Sequence, residues 1–157
     1  MSMKKVFYLL LLFPLFMVSC DDDHDDDFPQ VRMSVDISGA KVIDNTIYVV
    51  QGDTLSVDSI GVVAVDKNRQ VIIAATSYYW DRIYVGTTSI PPFDFSVDTG
   101  LLMTGRHLLQ MRCSLLAVDY PPVVAYISYP VKIVAEESDI PSGKVETTLL
   151  ITPEIDD

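Results

Sequence analysis

Residues 28–157 contain one histidine and one cysteine, the side chains most often used in catalysis and metal binding. His107 shares parity with Leu109 and Met111, so we predict that it begins a strand and that its ring hydrogen-bonds to the adjacent turn. A Ser–His–Asp triad would need a serine on a sharp turn such as G-x-S-x-G, which this sequence lacks. A zinc ion needs three or four nitrogen or sulfur ligands, and these two side chains do not supply them.

Pairs of carboxylates hydrolyse glycosidic bonds in many enzymes, but no pair here is placed for it. Asp94 and Asp98 fall in a short predicted strand and its turn, and Asp66 and Asp81 are interpreted as turn residues. Cys113 lies between apolar neighbours of the same parity, so we expect a buried, unreactive thiol. We therefore predict that the protein is not an enzyme and that it has no catalytic site, no metal site and no cofactor.

Tyrosines give the one positive indication of binding. Tyr78 and Trp80 share one face of a predicted strand, where we expect Trp80 to enter the core, and Tyr79 faces the opposite way. Exposed tyrosines stack on sugar rings and are enriched at protein interfaces. The candidate ligand contacts are Tyr79, Tyr84, Tyr120, Tyr126 and Tyr129. The alternative is that tyrosine merely suits half-buried strands.

The amino-terminal segment has the form of a secretion signal. Two lysines precede an apolar stretch over residues 6–18, which is closed by small residues and then by Cys20. The stretch is shorter than a membrane-spanning helix needs, and Pro14 interrupts it. It resembles a bacterial lipobox, which implies that residues 1–19 are removed and that Cys20 receives acyl chains that anchor the protein in a membrane.

Three aspartates, Asp21, Asp22 and Asp23, follow Cys20 directly and begin an acidic run over residues 21–27. This run resembles the surface-export signal of Bacteroidetes-type lipoproteins, which implies a lipid-anchored protein of the outer membrane, displayed at the cell surface. By charge alone, residues 20–27 form a solvated, self-repelling spacer, which is compatible with export. A divalent-cation site is the other alternative, but the run lacks the turn glycine and fixed cage of a calcium loop.

Charge and length limit what the rest of the chain can be. The sequence has 22 acidic residues against 11 basic ones, a formal net charge of −11. It contains no basic patch, so we expect no nucleic-acid partner. Residues 28–157 are long enough for one domain with its own core. With Cys20 lipidated, Cys113 has no partner, and the domain must be stable without a disulfide.

Short runs rich in valine, isoleucine, tyrosine and threonine alternate with turn signals, and no stretch has a convincing helical pattern. This arrangement predicts an all-β sandwich of about seven to eight strands. Pro130 cannot donate a ladder hydrogen bond, so its strand should lie at an edge or carry a bulge there. The extended segments cover residues 31–37, 42–50 (broken at Asp44-Asn45), 54–65, 71–80, 83–85, 93–97, 106–118, 123–134 and 145–151.

Several motifs resemble those of bacterial immunoglobulin-like domains. Residues 49–55 resemble the entrance to the second strand. Residues 79–81, with 86–88 and 91–93, resemble the tryptophan strand and its hairpin. Residues 104–111 resemble the "G-x-H-x-L" start of the penultimate strand. The resemblance extends over about residues 35–134 and implies an immunoglobulin-like β-sandwich. The chain departs from the family in lacking a pair of core cysteines and in adding a strand over residues 145–151.

Two functional hypotheses follow for this fold, and a third is kept beside them. The first is a cell-envelope binding or adhesion module without catalytic activity, which predicts a flat apolar patch or an open strand edge that binds an envelope protein. The second is a glycan-binding accessory lipoprotein of an outer-membrane polysaccharide-uptake system, which predicts exposed tyrosines and polar residues on one face. The third is a structural subunit of a larger envelope complex.

Overall fold

The computed structural model describes residues 27–156 of the chain. The predicted signal peptide over residues 1–19, the lipidation site Cys20 and the export residues Asp21–Asp23 lie outside the described residues. Within the described part, no helix combines the length and the apolar character needed to cross a membrane.

Residues 27–156 form eleven strands and one short 3-10 helix, Glu137–Asp139. Most strands consist of β-branched, aromatic or alternating residues that suit a pleated, half-buried surface. In chain order the strands are β1 (Val31–Ser38), β2 (Lys41–Ile43), β3 (Thr46–Val50), β4 (Thr54–Ala64), β5 (Val71–Trp80), β6 (Ile83–Thr88), β7 (Phe95–Asp98), β8 (Gly105–Ala117), β9 (Val123–Val134), β10 (Thr148–Ile151) and β11 (Glu154–Asp156).

The strands form two facing sheets. The small sheet has the order β10-β1-β4-β7, and the large sheet has the order β2-β3-β9-β8-β5-β6, with β11 also paired to β9. All strand pairs in the described part are antiparallel except β3 with β9. With β1, β4 and β7 opposite β5, β8 and β9, this is a β-sandwich, and the predicted all-β sandwich is confirmed, although the described residues form eleven strands rather than about seven to eight.

The core lies between the two sheets because successive side chains of a strand point to opposite faces. In β8, Leu109, Met111, Cys113 and Leu115 are all buried, as the alternation predicted. The ring of Tyr78 stacks on Phe95 of the small sheet, with 4.3 Å between centroids and 9° between planes. Aromatic stacking of this kind joins the two sheets directly.

Two tight hairpin turns match the breaks expected from the sequence. Asp44 and Asn45 have φ angles of 48° and 59°, and Asp81 and Arg82 have φ angles of 50° and 69°. Asparagine and aspartate tolerate this left-handed region better than most residues, and two-residue loops with positive φ suit the twist of paired strands. The turns therefore connect β2 to β3 and β5 to β6 in fixed registers.

One edge of β9 is only partly covered. β8 pairs along the other edge over most of the strand, from Val123 to Ile133. On the incomplete edge, β11 pairs with residues 124–126 and β3 pairs with residues 131–134. Among the described residues, positions 127–130 have no strand partner on this edge, and we call them the β9 gap. Pro130 lies in the gap, where no neighbouring strand needs the N–H that proline lacks.

The carboxyl-terminal strands differ from the sequence-based expectation. A single strand over residues 145–151 was predicted, whereas β10 begins only at Thr148 and a separate strand, β11, follows Pro153. The chain passes here from the small sheet to the large one. Two of the three residues of β11 are acidic, so the sequence has no apolar alternation to indicate a strand; Ile155 alone packs against the core.

Candidate functional site

His107 ties the start of β8 to the turn between β5 and β6, as predicted. Its Nδ1 lies 2.7 Å from Asp81 Oδ2, and its Nε2 lies 2.8 Å from the carbonyl oxygen of Met103. A carboxylate and a carbonyl oxygen only accept hydrogen bonds, so both ring nitrogens can donate at once only when the ring is protonated. Asp81 Oδ1 also accepts the Leu108 N–H at 2.8 Å. The ring is thereby fully occupied by structural contacts.

The environment of His107 favours its charged form. Burial lowers the pKa of His107, but the hydrogen bond to Asp81, the bond to the Met103 carbonyl and the negative charge of Asp81 together raise this pKa above its ordinary value. The histidine side chain is 13% exposed and that of Asp81 is 42% exposed, so solvent screens part of the attraction.

Cys113 is a buried thiol in the middle of β8, as expected from its apolar neighbours. Burial raises the pKa of Cys113, although a contact of 3.5 Å with Thr76 Oγ1 acts in the opposite direction. A buried thiol with a raised pKa forms little thiolate and is a poor nucleophile.

Asp66 and Asp98, which the sequence placed in turns, accept hydrogen bonds from turn backbones. Asp66 Oδ1 accepts the Asn68 N–H at 3.0 Å, and Asp98 Oδ1 accepts the Gly100 N–H at 2.8 Å. Asp81 serves His107, as described above. These are the local side chain to backbone contacts typical of aspartate in turns. Within residues 27–156, no cluster of three or more histidine, cysteine or acidic side chains is arranged to hold a metal ion.

Three of the five candidate tyrosines lie together on the outer face of the large sheet. Tyr79 of β5 pairs with Tyr84 of β6 across the hairpin, and their ring centroids are 5.7 Å apart in an edge-to-face arrangement. Tyr126 of β9 lies on the same face, because Ala125 and Ile127 on either side of it are buried. Tyr84 is the most open of the three, with 58% of its surface exposed.

Tyr129 must be removed from the candidate contacts. It is only 7% exposed and faces the core, whereas Tyr126 three positions earlier faces out. The odd spacing between them places the two side chains on opposite faces of β9. Burial raises the pKa of Tyr129 to about 12, with a smaller effect from the negative charge of Glu146.

Tyr120 lies away from the other three, in the turn between β8 and β9. Its ring packs edge-to-face on Phe28 at 6.0 Å, and the Arg69 guanidinium lies 5.4 Å from its centroid. The ring is half-buried and contributes to covering the core at the end of the sandwich where the described chain begins. This placement separates Tyr120 from any ligand surface formed by Tyr79, Tyr84 and Tyr126.

Arg112 completes the group on the outer face of the large sheet. Its guanidinium carbon lies 4.4 Å from the ring centroid of Tyr79 and 5.4 Å from that of Tyr126. Such distances are those of cation–π contacts, which restrain the side chain without using its N–H groups. We call Tyr79, Tyr84, Arg112 and Tyr126 the tyrosine platform; it crosses four adjacent strands, β6, β5, β8 and β9.

Hydroxyl and amide groups surround the platform. Tyr84 donates a hydrogen bond to Thr87 Oγ1 at 3.0 Å, and Thr87 Oγ1 lies 2.7 Å from Ser77 Oγ. On the other side of Arg112, Gln110 Nε2 donates to Ser128 Oγ at 3.3 Å. These side chains place several donors and acceptors beside the rings, the mixture with which a hydroxyl-rich ligand can exchange hydrogen bonds.

A groove of about 560 Å³ adjoins the platform on the β9 side. Its floor contains Tyr126 and the β9 gap, and its walls come from the β2–β3 turn and the β10–β11 turn, including Asp44, Thr152 and Glu154. The groove is open rather than enclosed, and polar and apolar atoms contribute about equally to its lining. An extended chain has access here to backbone groups of β9.

The sequence indicated part of this site but not its assembly. Alternation within β8 places Gln110 and Arg112 on the face opposite Met111, but it does not indicate that Arg112 lies opposite Tyr126 on β9. That neighbourhood depends on the cross-strand register, which the turns set. No protein-family model matches the chain, and the search of curated proteins finds no match.

Proposed function

We propose that this protein is a lipid-anchored binding module of the cell envelope, without catalytic activity, and that the tyrosine platform is its glycan-binding surface. In this proposal the acylated Cys20 anchors the protein in the outer membrane, the acidic run extends it, and the sandwich presents the outer face of the large sheet at the cell surface. The function is passive, because recognition needs only a rigid surface and no group that exchanges protons or bonds with the ligand.

The observation that carries the proposal is the position of three tyrosines, one arginine and four hydrogen-bonding side chains on one sheet face. A pyranose ring has an apolar face of C–H groups and an equatorial rim of hydroxyl groups. Aromatic rings bind the first, and hydroxyl, amide and guanidinium groups bind the second. The β-strands hold these side chains at fixed spacings, so little conformational freedom is lost on binding.

A panel of plant, host and microbial glycans tests the proposal directly. The purified chain should bind at least one member saturably, and Tyr84→Ala or Tyr126→Ala should weaken that binding about two- to tenfold, as expected for an aromatic contact worth about 0.5–1.5 kcal/mol. Tyr120→Ala is the matched control, because it removes a tyrosine from the far end of the sandwich.

Two results would contradict the proposal. One is that the folded chain binds no member of the panel. The other is that Tyr120→Ala weakens binding as much as Tyr84→Ala, which would place the ligand elsewhere or indicate a general loss of stability. Thermal unfolding of each variant separates these last two cases, since a binding defect alone leaves the melting temperature unchanged.

The β9 gap supports a second candidate function, the binding of an envelope protein by strand addition. Positions 127–130 leave one edge of β9 without a strand partner in the described part, beside the open groove. Such an edge can accept an extended segment of another chain through main-chain hydrogen bonds. Under this alternative, adding outer-membrane extract would slow amide hydrogen exchange at Ser128, whose N–H faces the open edge while those of Ile127 and Tyr129 point to β8. Tyr84→Ala would have no effect, since Tyr84 lies outside the groove.

A further inference from the structure

The two outer faces of the sandwich carry opposite kinds of charge. Residues 27–156 contain nine lysines and arginines in a strongly acidic chain. Four of them point outward from the large sheet: Arg106, Arg112 and Lys132, and also Lys41, which is paired with Glu137 at 2.6 Å. The outer face of the small sheet instead carries Asp36, Asp58 and Asp98 with Arg32. The scarce positive charge is therefore concentrated on the face that carries the tyrosine platform.

Arg112 is held by aromatic rings in a position that leaves its hydrogen-bond donors free. Aromatic rings contact its guanidinium, and no carboxylate in the described part of the chain forms an ion pair with it. A guanidinium that stacks on rings keeps the N–H groups around its edge available for a carboxylate or a sulfate. The side chain is exposed, so a ligand reaches those groups directly.

Arg106 and Lys132 extend the positive charge along the same face. They are directly opposite each other on β8 and β9, both are exposed, and no ion pair involves either of them among residues 27–156. Like charges in this position destabilise a sheet by roughly 0.2–1 kcal/mol, so folding stability does not account for the pair. Arg106 lies six residues from Arg112, about 20 Å along the strand, a span suited to a polymer.

We propose that the ligand is an acidic polysaccharide, whose sugar rings contact the tyrosines and whose carboxylate or sulfate groups bind Arg112 and the Arg106–Lys132 pair. This inference rests on the proposed function, because it names the class of glycan bound by the same platform. It goes further in predicting that charge, and not ring contact alone, selects the ligand. A negatively charged protein would otherwise repel such a polymer.

Two acidic residues limit where the ligand lies. Glu154 is opposite Tyr126 on β11, and Asp156 is opposite Val124, both at the β9 margin of the platform. Their charges oppose an anionic ligand in the adjoining groove. The acidic polysaccharide is therefore expected to lie along β8 and to reach β9 only at Tyr126 and Lys132, outside the adjoining groove.

Matched pairs of polysaccharides test the proposal by titration calorimetry, with the full chain in nonionic detergent. The carboxylate pair is polygalacturonate and its methyl ester, and the sulfate pair is dextran sulfate and dextran. At least one acidic member should bind about tenfold or more tighter than its neutral twin, as charged hydrogen bonds imply. The difference should shrink as the salt concentration rises. Arg112→Gln should abolish most of it, Arg112→Lys should retain part of it, and Glu154→Gln should tighten binding.

Arg32→Gln is the control, because it makes the same charge change on the outer face of the small sheet. Equal loss in Arg32→Gln and Arg112→Gln would overturn the proposal, since net charge alone would then govern binding. Neutral members that bind as tightly as their acidic twins would also overturn it, while leaving the glycan-binding function in place. Failure of all four polysaccharides would overturn it as well, and the wider glycan panel then decides whether the proposed function fails too.

Discussion

At the scale of single residues, the ion pair between His107 and Asp81 changes its strength with pH near neutrality. The folded state raises the pKa of His107 above its usual value, so the folded chain holds the proton more tightly than the unfolded chain does. The resulting stabilisation is complete below about pH 6.5, the ordinary histidine pKa. It is lost as the pH rises through the higher pKa of the folded state.

We therefore expect the wild-type domain to lose more stability than Asp81→Asn between pH 6 and pH 8.5. The difference should be at most about 1 kcal/mol, because Asp81 is partly exposed and solvent screens the pair. Asparagine keeps an acceptor for the Leu108 N–H, so the substitution mainly removes the charge. Urea unfolding at both pH values measures the difference, and equal pH dependence in the two proteins would contradict the account.

Residue parity explains what the sequence could and could not indicate about the site. Alternation within a strand correctly separated Tyr79 from Tyr78 and Trp80, and the buried Trp80 is 8% exposed, as expected for a core residue. The same rule, applied to β9, places Tyr126 and Tyr129 on opposite faces, and Ser128 and Lys132 share the face of Tyr126, so the alternation indicates that Tyr129 faces the core. The prediction of Tyr129 as a ligand contact was wrong, and this alternation is the signal that excludes it.

At the scale of elements, the β1–β2 turn depends on a single glycine. Gly39 has a φ angle of 70°, and a Cβ atom there would lie 1.8 Å from the carbonyl oxygen of Thr54. Gly39→Ala should therefore destabilise the fold by at least about 2 kcal/mol, from backbone strain and displacement of the β4 backbone together. The two effects act on the junction between β1, β2 and the start of β4.

Gly86 in β6 provides the matched control for this substitution. It has no atom within 4 Å of the position that a Cβ would occupy and no positive φ angle. Gly86→Ala should thus change the free energy of unfolding by no more than about 0.5–1 kcal/mol. Denaturant unfolding of both variants gives the comparison. A Gly39→Ala variant as stable as the wild type would show that the turn rearranges without cost.

Strand positions up to β9 were largely predictable because turn residues such as Asp44-Asn45 and Asp81-Arg82 separate the strands. Strand pairing was not predictable from local patterns, because it depends on contacts between residues far apart in the chain. Tyr126 and Arg112 come from strands paired across the sheet, and β11 reaches β9 from the far end of the chain. The resemblance to immunoglobulin-like domains implied a sandwich but not its exact strand order, and the terminal strands lay beyond it.

At the scale of the whole molecule, one sandwich core and two chemically different outer faces account for stability and for the proposed binding. Cys113 is free, so no disulfide joins the sheets within residues 27–156, and buried apolar residues on both sheets hold them together. The outer face of the small sheet carries mainly serine, threonine and aspartate, and that of the large sheet carries tyrosines and most of the outward-facing cations. The second face is therefore the one expected to contact a ligand.

The most direct test of this account is an amide NMR titration of residues 28–157 with plant, host and microbial glycans in turn. We predict that at least one acidic glycan shifts a contiguous set of signals from Ser77, Tyr84, Gln110, Arg112 and Tyr126, and leaves those of the small sheet in place. Shifts clustered around Tyr120 or in the β9 gap, or no shifts with any glycan, would contradict the claim that the tyrosine platform is the binding surface.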